Sequence, residues 1–136
     1  MGYDFNPRNK DAGDFHLGAF SWPFLLEQCG YYFQSLHKGG RYFLCSDDPR
    51  DEGATYPGII ANDGYRITAE EARVLARIAR NYAKITAALP EENAKDVPVS
   101  TPDYLKPWPA KTRDDWNDRF LAFADWAEKS GGFAIW

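Results

Sequence analysis

The chain has 136 residues, a formal net charge of −4 and a pI near 5.1. Hydrophobic residues make up 44% of it and aromatic residues 16%, which predicts a single globular domain over residues 1–136. The acidic balance argues against general binding to nucleic acid or to an anionic membrane, since both usually require excess positive charge.

Cysteine usage and hydropathy restrict the class of protein further. Cys29 and Cys45 form no CxxC motif and have no metal-ligand spacing to a histidine. We interpret both as small core residues, expect no metal and no cofactor, and leave open whether the two ever pair. The first ten residues do not resemble a secretory signal, and no apolar run could span a bilayer. We therefore expect a soluble, cytoplasmic protein without a membrane partner.

The first half of the chain predicts short elements separated by polar segments. Residues 1–13 are rich in Asn, Asp and Lys and predict an irregular entry. Asp14–Phe20 alternates apolar and polar residues, which is typical of a strand. Trp22–Cys29 is predicted to be a helix, because a Ser precedes it and a Gly follows it. Arg41–Cys45 predicts another strand.

Residues 62–64 predict the turn of a β-hairpin. Asn and Gly tolerate a positive φ and Asp can bond its own backbone, so Asn-Asp-Gly between apolar residues favours a tight turn. Ile59–Ile60 and Tyr65–Ile67 are the predicted strands on its two sides. We expect the rest of the chain to pack around this hairpin and the helix that follows.

The most regular predicted element is a helix over Ala69–Leu89. Thr68 is a good N-cap and Glu71 lies three residues later, which is the spacing of a capping box. Apolar residues recur along the helix at the spacing of a buried stripe. They are Leu75, Ile78, Ala79, Tyr82, Ile85 and Leu89.

The last third of the chain predicts a connection, a helix and a strand. Residues 90–111 hold five prolines without periodicity. Thr112 with Asp115 predicts a second capping box, Gly131-Gly132 predicts the end of that helix, and Phe133–Trp136 predicts a strand. The predicted apolar face of the helix comprises Trp116, Phe120, Phe123 and Ala127, widened by Leu121, Ala124 and Trp126. Together the elements predict an α+β fold, with a small, mainly antiparallel sheet and helices packed on one face.

Asp14 and His16 are the first candidates for chemistry. They share one side of a predicted strand, and a histidine oriented by a carboxylate can act as a base. A solvated strand face explains the same pattern and is the favoured interpretation. The chain also lacks HExxH, GxSxG and Walker motifs, so a hydrolytic enzyme is the least favoured function.

An acidic segment, residues 46–55, is the candidate surface for a protein partner. Its spacing does not match an EF-hand loop, which needs ligands at alternate positions. Acidic side chains can attract a basic partner, and a neighbouring aromatic can anchor it. The candidate protein-binding residues are Asp47, Asp48, Asp51, Glu52 and Tyr56.

Four cations recur at three- and four-residue steps along the predicted central helix and so share one face. They are Arg73, Arg77, Arg80 and Lys84. Guanidinium groups on one face can bind phosphates, which makes these residues candidates for an anion site. An exposed helix face that pairs with nearby acids explains the pattern as well.

Three stretches resemble a family of small proteins of bacteria and their phages. They are a Phe-containing strand with a Trp-led helix (15–26), an Asn-Asp-Gly turn before a capped helix (62–72) and an acidic-aromatic helix with a Gly-Gly-Phe-x-Ile-Trp end (116–136). These motifs are structural, so the resemblance transfers no catalytic residue. It implies a bacterial or phage origin and, by association, inhibition of host defence.

Taken together, these observations predict a non-enzymatic binding protein that inhibits a bacterial protein partner, in keeping with phage counter-defence. The alternative is a protein that binds, and so sequesters, a nucleotide or another small anion. Nucleic acid is a disfavoured partner because of the acidic balance. A monomer and a homodimer fit the sequence equally well.

Overall fold

The computed structural model of this protein describes residues 2–28, 58–60, 64–88, 100 and 110–136. These residues form a four-stranded antiparallel sheet and three α-helices, so the predicted α+β fold is confirmed. The strands are β1 Gly2–Pro7, β2 Phe15–Gly18, β3 Tyr65–Ile67 and β4 Phe133–Ile135. The helices are α1 Ser21–Gln28, α2 Ala69–Ala88 and α3 Ala110–Ser130, with short 3-10 helices at Lys10–Ala12 and Gly58–Ile60.

The first and last strands meet in the centre of the sheet. The strand order is β2-β1-β4-β3, and Phe5 lies opposite Phe15 on one side and Ile135 on the other. The prediction of an irregular entry over residues 1–13 is therefore wrong for Gly2–Pro7. Its Gly, Asp, Asn and Pro residues disfavour a strand locally, but pairing on both sides overrides that preference.

The sheet has an apolar inner face and a polar outer face. Phe5, Leu17 and Ile67 point inward and are buried with the helices in one core. Asp4 and His16 alternate with them and are exposed. This alternation confirms the strand periodicity predicted from the sequence around His16.

Aromatic side chains from four elements form the centre of the core. The ring centroid of Phe5 lies 4.9 Å from that of Trp22, 5.9 Å from that of Trp126 and 5.1 Å from that of Phe133. Phe123 packs edge-on against Phe5 at 6.3 Å. Offset and edge-on geometries of this kind favour aromatic contacts beyond the area they bury. Much of the aromatic content in the described residues is thus core.

Helix α2 begins where the sequence predicts, and its capping box is confirmed. Glu71 N–H donates to Thr68 Oγ1 at 3.1 Å, and Thr68 N–H donates to Glu71 Oε1 at 3.0 Å. Ile85 is 63% exposed, so the prediction that it belongs to the buried stripe is wrong. The buried stripe contains smaller residues, of which Ala83 is the last. Ile85 comes two residues later and therefore lies about 200° around the helix from Ala83. The fully or nearly fully buried residues of the stripe are Ala72, Leu75, Ala76, Ala79 and Ala83.

Helix α3 begins at Ala110, two residues before the predicted cap, so the prediction of Thr112 as the N-cap is wrong. Its buried face contains Phe120 and Phe123, as predicted, whereas Leu121 is 42% exposed and does not widen that face. The Gly131-Gly132 pair ends the helix with φ values of 67° and 98°, which confirms the predicted stop. Strand β4 follows directly.

The first half of the predicted hairpin is wrong, because Gly58–Ile60 forms a 3-10 turn. Trp22 Nε1–H donates to the Ile59 carbonyl at 2.6 Å, and Tyr3 O–H donates to the Ile60 carbonyl at 2.8 Å. These side-chain bonds satisfy carbonyls that strand pairing would otherwise use. Tyr65–Ile67 is a strand as predicted, and its described partner is β4.

Other predictions concern residues outside the described part of the chain. They are the strand at Arg41–Cys45, both cysteines, the acidic segment 46–55, the turn residues 62–63, and residues 90–99 and 101–109 of the predicted connection 90–111. The last two residues of that connection, Ala110 and Lys111, belong to α3. Among the helices that the structure describes, none combines the length and the hydropathy needed to cross a bilayer.

Candidate functional site

The outer face of the sheet carries two rows of residues that cross all four strands. In the first row Asp4 lies opposite His16, and its backbone exchanges two hydrogen bonds of 2.8 Å with Trp136. Gly64 N–H donates to the Ile135 carbonyl at 2.7 Å, which places Gly64 beside Trp136 at the far edge. The second row consists of Asp14, Asn6, Ala134 and Arg66.

A hollow of about 470 Å³ opens on this outer face, where β1, β3 and β4 meet the start of α2 and the end of α3. Arg8, Lys10 and Arg66 line it, and none of the described lining residues is acidic. We call this concavity the basic hollow. It concentrates positive charge on a protein whose net charge is −4.

Asn9 fixes the segment that carries two of these cations. Its N–H donates to the Ser130 carbonyl at 2.7 Å, and its Nδ2 donates to the Lys129 carbonyl at 2.9 Å. Arg8 and Lys10 flank Asn9 in the chain. The backbone of both cations is therefore anchored to the end of α3.

Close backbone packing shapes the floor of the basic hollow. Arg8 N–H donates to the Gly132 carbonyl at 2.8 Å. A Cβ atom on Gly132 would lie 2.7 Å from the Ile67 carbonyl oxygen, and Gly132 has a φ of 98°. Only glycine therefore allows β1, β3 and the end of α3 to approach at this point.

Trp136 borders the basic hollow and is half exposed. A Cβ atom on Gly64 would lie 2.7 to 3.1 Å from three atoms of the ring, so the indole rests against the glycine backbone. The residue nevertheless keeps 51% of its surface exposed. One side of the ring thus lies against Gly64, and half of the residue is open to solvent on the face that carries the cations.

Two helix ends contribute opposite partial charges to the basic hollow. Thr68, the N-cap of α2, lines it, and the N-terminal end of a helix dipole is positive. Gly131 also lines it and follows the negative end of α3. Two carbonyls of that end, those of Lys129 and Ser130, already accept hydrogen bonds from Asn9. Among the described lining residues, the side-chain cations therefore determine the sign of the charge.

His16 pairs with Asp4, and not with Asp14. His16 Nδ1 donates to Asp4 Oδ1 at 2.7 Å, while Asp14 accepts a hydrogen bond from Asn6 at 3.2 Å. The register between β1 and β2 determines these partners. That register cannot be read from the two-residue spacing of Asp14 and His16 in the sequence. The side chains of His16 and Asp4 are 61% and 68% exposed, and neither lines the basic hollow. The described residues contain no cluster of three metal-ligating side chains.

Arg80, one of the four cations predicted to share a face of α2, is held by carboxylates of α3. Its Nη2 donates to Asp125 Oδ1 at 2.7 Å and its Nη1 donates to Glu128 Oε1. Hydrogen bonds to Glu128 and Asp125 raise the pKa of the guanidinium, and the bond from Arg80 lowers the pKa of Glu128 below its ordinary value. The charge of Arg80 is thus compensated within the molecule.

The other cations of that face lie apart from the basic hollow. Arg73, Arg77 and Arg80 border a smaller depression of about 220 Å³, which Glu128 also lines. Lys84 is exposed further along α2 and does not line it. The carboxylate reduces the attraction of this depression for anions. Anion binding by the α2 face stays a prediction.

Sequence reasoning did not identify Arg8, Lys10, Arg66 or Trp136 as site residues. They come from the two ends and the middle of the chain, and only the sheet order brings them together. The alternation within Gly2–Pro7 was the signal that could have indicated a strand there. The predicted protein-binding residues lie outside the described part of the chain; they are Asp47, Asp48, Asp51, Glu52 and Tyr56.

Comparisons with known proteins identified no relative of this chain. No family model matches the sequence, and neither the curated proteins nor the solved structures contain a match. The resemblance to phage proteins therefore stays a prediction, and function is inferred from the site itself.

Proposed function

We propose that this protein is a non-enzymatic binding protein and that it binds a phosphate-bearing anion in the basic hollow. The observation that supports this proposal is the grouping of Arg8, Lys10 and Arg66 around one concavity that has no acidic residue among its described lining. Charge-assisted hydrogen bonds from such groups recognise phosphates well, and Arg can do so with two parallel bonds.

The hydrogen bonds that the cations of the site can donate are strong enough to bind a small anion. A hydrogen bond to a charged group contributes roughly 1.5 to 3 kcal/mol. Arg8 and Lys10 form no ion pair with a described residue, and Asn9 anchors their backbone. Less conformational entropy is therefore lost when these two side chains bind an anion than if they lay on a free loop.

Binding is favoured over catalysis by the chemistry of the lining. None of the described residues that line the basic hollow is a His, Cys, Asp or Glu, so its lysine and threonine have no neighbouring carboxylate, thiol or imidazole in that lining to act with. The His16–Asp4 pair lies outside the lining. A hydrolytic enzyme remains the least favoured hypothesis for the function.

The resemblance to phage proteins implies two roles, and the basic hollow supports one of them. Sequestration of an anionic signal requires a site of this kind. Inhibition of a basic protein partner through the acidic segment 46–55 stays a prediction. Charge reversal of Asp47, Asp48 and Asp51 that leaves binding to an identified partner unchanged would contradict it.

The test is thermal unfolding with and without tripolyphosphate, on the wild type and two charge-reversed variants. Tripolyphosphate at a hundred times its dissociation constant should stabilise the wild type by about 2.7 kcal/mol. Arg8→Glu with Lys10→Glu should weaken binding by roughly a hundredfold or more, because two charge-assisted bonds are lost.

The matched control is Arg73→Glu with Arg77→Glu, which makes the same change of charge on α2. We expect it to bind tripolyphosphate almost as tightly as the wild type, since neither residue lines the basic hollow. Equal losses in both variants would indicate a general charge effect. No stabilisation of the wild type by tripolyphosphate would refute the proposed function.

A further inference from the structure

We infer that the anion is a nucleotide carrying more than one phosphate, with its base stacked on Trp136 and its phosphates bound by Arg8 and Lys10. The inference rests on the proposed function and specifies its ligand. It depends on the placement of one aromatic ring and two cations along the same face of the sheet.

The indole of Trp136 has the surroundings of a stacking surface. Its ring is supported from below by the backbone of Gly64, where an added Cβ would lie 2.7 Å from Cη2. Half of the residue is exposed, and it lines the same concavity as the cations. A supported, half-open indole binds a nucleobase at low conformational cost, because the ring is already held in place.

The backbone separation between Trp136 and the residue that pairs with Arg8 indicates the length of the ligand. Arg8 pairs with Gly132 across the β1–β4 boundary, and Trp136 lies four residues further along the chain. Four residues of strand span roughly 13 Å. Arg66 lies between the two ends, opposite Ala134. A base at Trp136 and a terminal phosphate at Arg8 are therefore best joined by a chain of phosphates, which a nucleoside polyphosphate provides.

The size of the basic hollow favours a small molecule. Its volume of about 470 Å³ lies within the range of roughly 300 to 1,000 Å³ that is typical of small-ligand sites. Asn6 and Thr68 add an amide and a hydroxyl to the lining, which can bond a ribose or a base edge. The acidic protein as a whole would repel the phosphates of a longer strand that extended beyond the site.

The experiment compares the affinities of ATP, of its guanine and uracil counterparts, and of tripolyphosphate by calorimetry. Stacking contributes about 1 to 3 kcal/mol per base, so the wild type should bind at least one nucleotide about 5- to 150-fold more tightly than tripolyphosphate. Trp136→Leu should remove this preference, so that the variant binds the nucleotides no more tightly than it binds tripolyphosphate. Trp136→Phe should retain most of it, and Phe20→Leu, at a residue that is 89% exposed, should change nothing.

The outcomes separate the inference from the proposed function. If tripolyphosphate binds but every nucleotide binds only equally well, the inference is wrong and the anion site stands. If Trp136→Leu and the wild type show the same nucleotide preference, the base does not stack on Trp136 and the inference is also wrong. Tighter binding of a short oligothymidylate than of any nucleotide would assign the site to single-stranded nucleic acid instead. If neither tripolyphosphate nor any nucleotide binds, both proposals fail.

Discussion

Two glycines with a positive φ differ in what surrounds them. Gly132 has a φ of 98° and Gly13 a φ of 70°, so an alanine at either position costs about 1 to 3 kcal/mol of backbone strain. At Gly132 the new Cβ would also lie 2.7 Å from the Ile67 carbonyl oxygen, whereas no atom lies within 4 Å of a Cβ on Gly13. We expect Gly132→Ala to lower the free energy of unfolding by clearly more than Gly13→Ala.

Urea unfolding of the two variants measures this difference between two glycines that both have a positive φ. Equal losses would show that β1, β3 and the end of α3 do not pack as closely at Gly132 as the structure indicates. Because Gly132 also lines the basic hollow, Gly132→Ala should weaken tripolyphosphate binding as well, and Gly13→Ala should not.

Local signals at single residues could be read from the sequence, and contacts across strands could not. The Thr68–Glu71 capping box needs only a spacing of three residues, and it forms as predicted. The partner of His16 is Asp4, twelve residues away, and depends on the register of β1 against β2. The cations of the basic hollow depend on the order of the whole sheet for the same reason.

At the scale of elements, Arg80 links α2 to α3 through Glu128 and Asp125. The bond from Arg80 lowers the pKa of Glu128 in the folded state, so this pair stabilises the protein above the ordinary glutamate pKa of 4.5. That contribution is lost as the pH falls through the lowered pKa. The stability lost in Arg80→Met should therefore be larger at neutral pH than well below pH 4.5.

Urea unfolding at neutral pH and well below pH 4.5 tests this prediction, with Arg73→Met as the control on the same helix. Arg73 forms no ion pair with a described residue, so its variant should show a smaller loss that changes less with pH. A pH-independent difference between the wild type and Arg80→Met would contradict the assignment of the stabilisation to Glu128.

Elements with strong periodicity or clear stop signals were predictable. Helix α2 has strong periodicity and a capping box at its start, and Gly131-Gly132 marks the boundary between α3 and β4. Strand β1 was missed because turn-forming residues alternate with its inward side chains. Ile59–Ile60 has the composition of a strand, but hydrogen bonds from Trp22 and Tyr3 hold it in a 3-10 turn. Tertiary contacts of this kind override local propensity.

At the scale of the whole molecule, the site depends on pairing between the two ends of the chain. Strand β1 brings Arg8 beside Gly132, and β4 places Trp136 beside Gly64. The fold class followed from the sequence because it needs only the types and order of the elements. The basic hollow did not, because overall composition is acidic and only the folded sheet reveals a local excess of positive charge.

The most direct measurement is a heteronuclear NMR spectrum of the indole N–H groups during a titration with ATP. Trp22 and Trp126 are internal references, since their Nε1–H groups donate to the carbonyls of Ile59 and Gly13 at 2.6 and 2.7 Å. We expect the resonance of Trp136, identified by its loss in Trp136→Phe, to shift saturably while those of the two references stay in place. A stationary Trp136 resonance, or equal shifts of all the indole groups, would contradict a nucleotide site in the basic hollow.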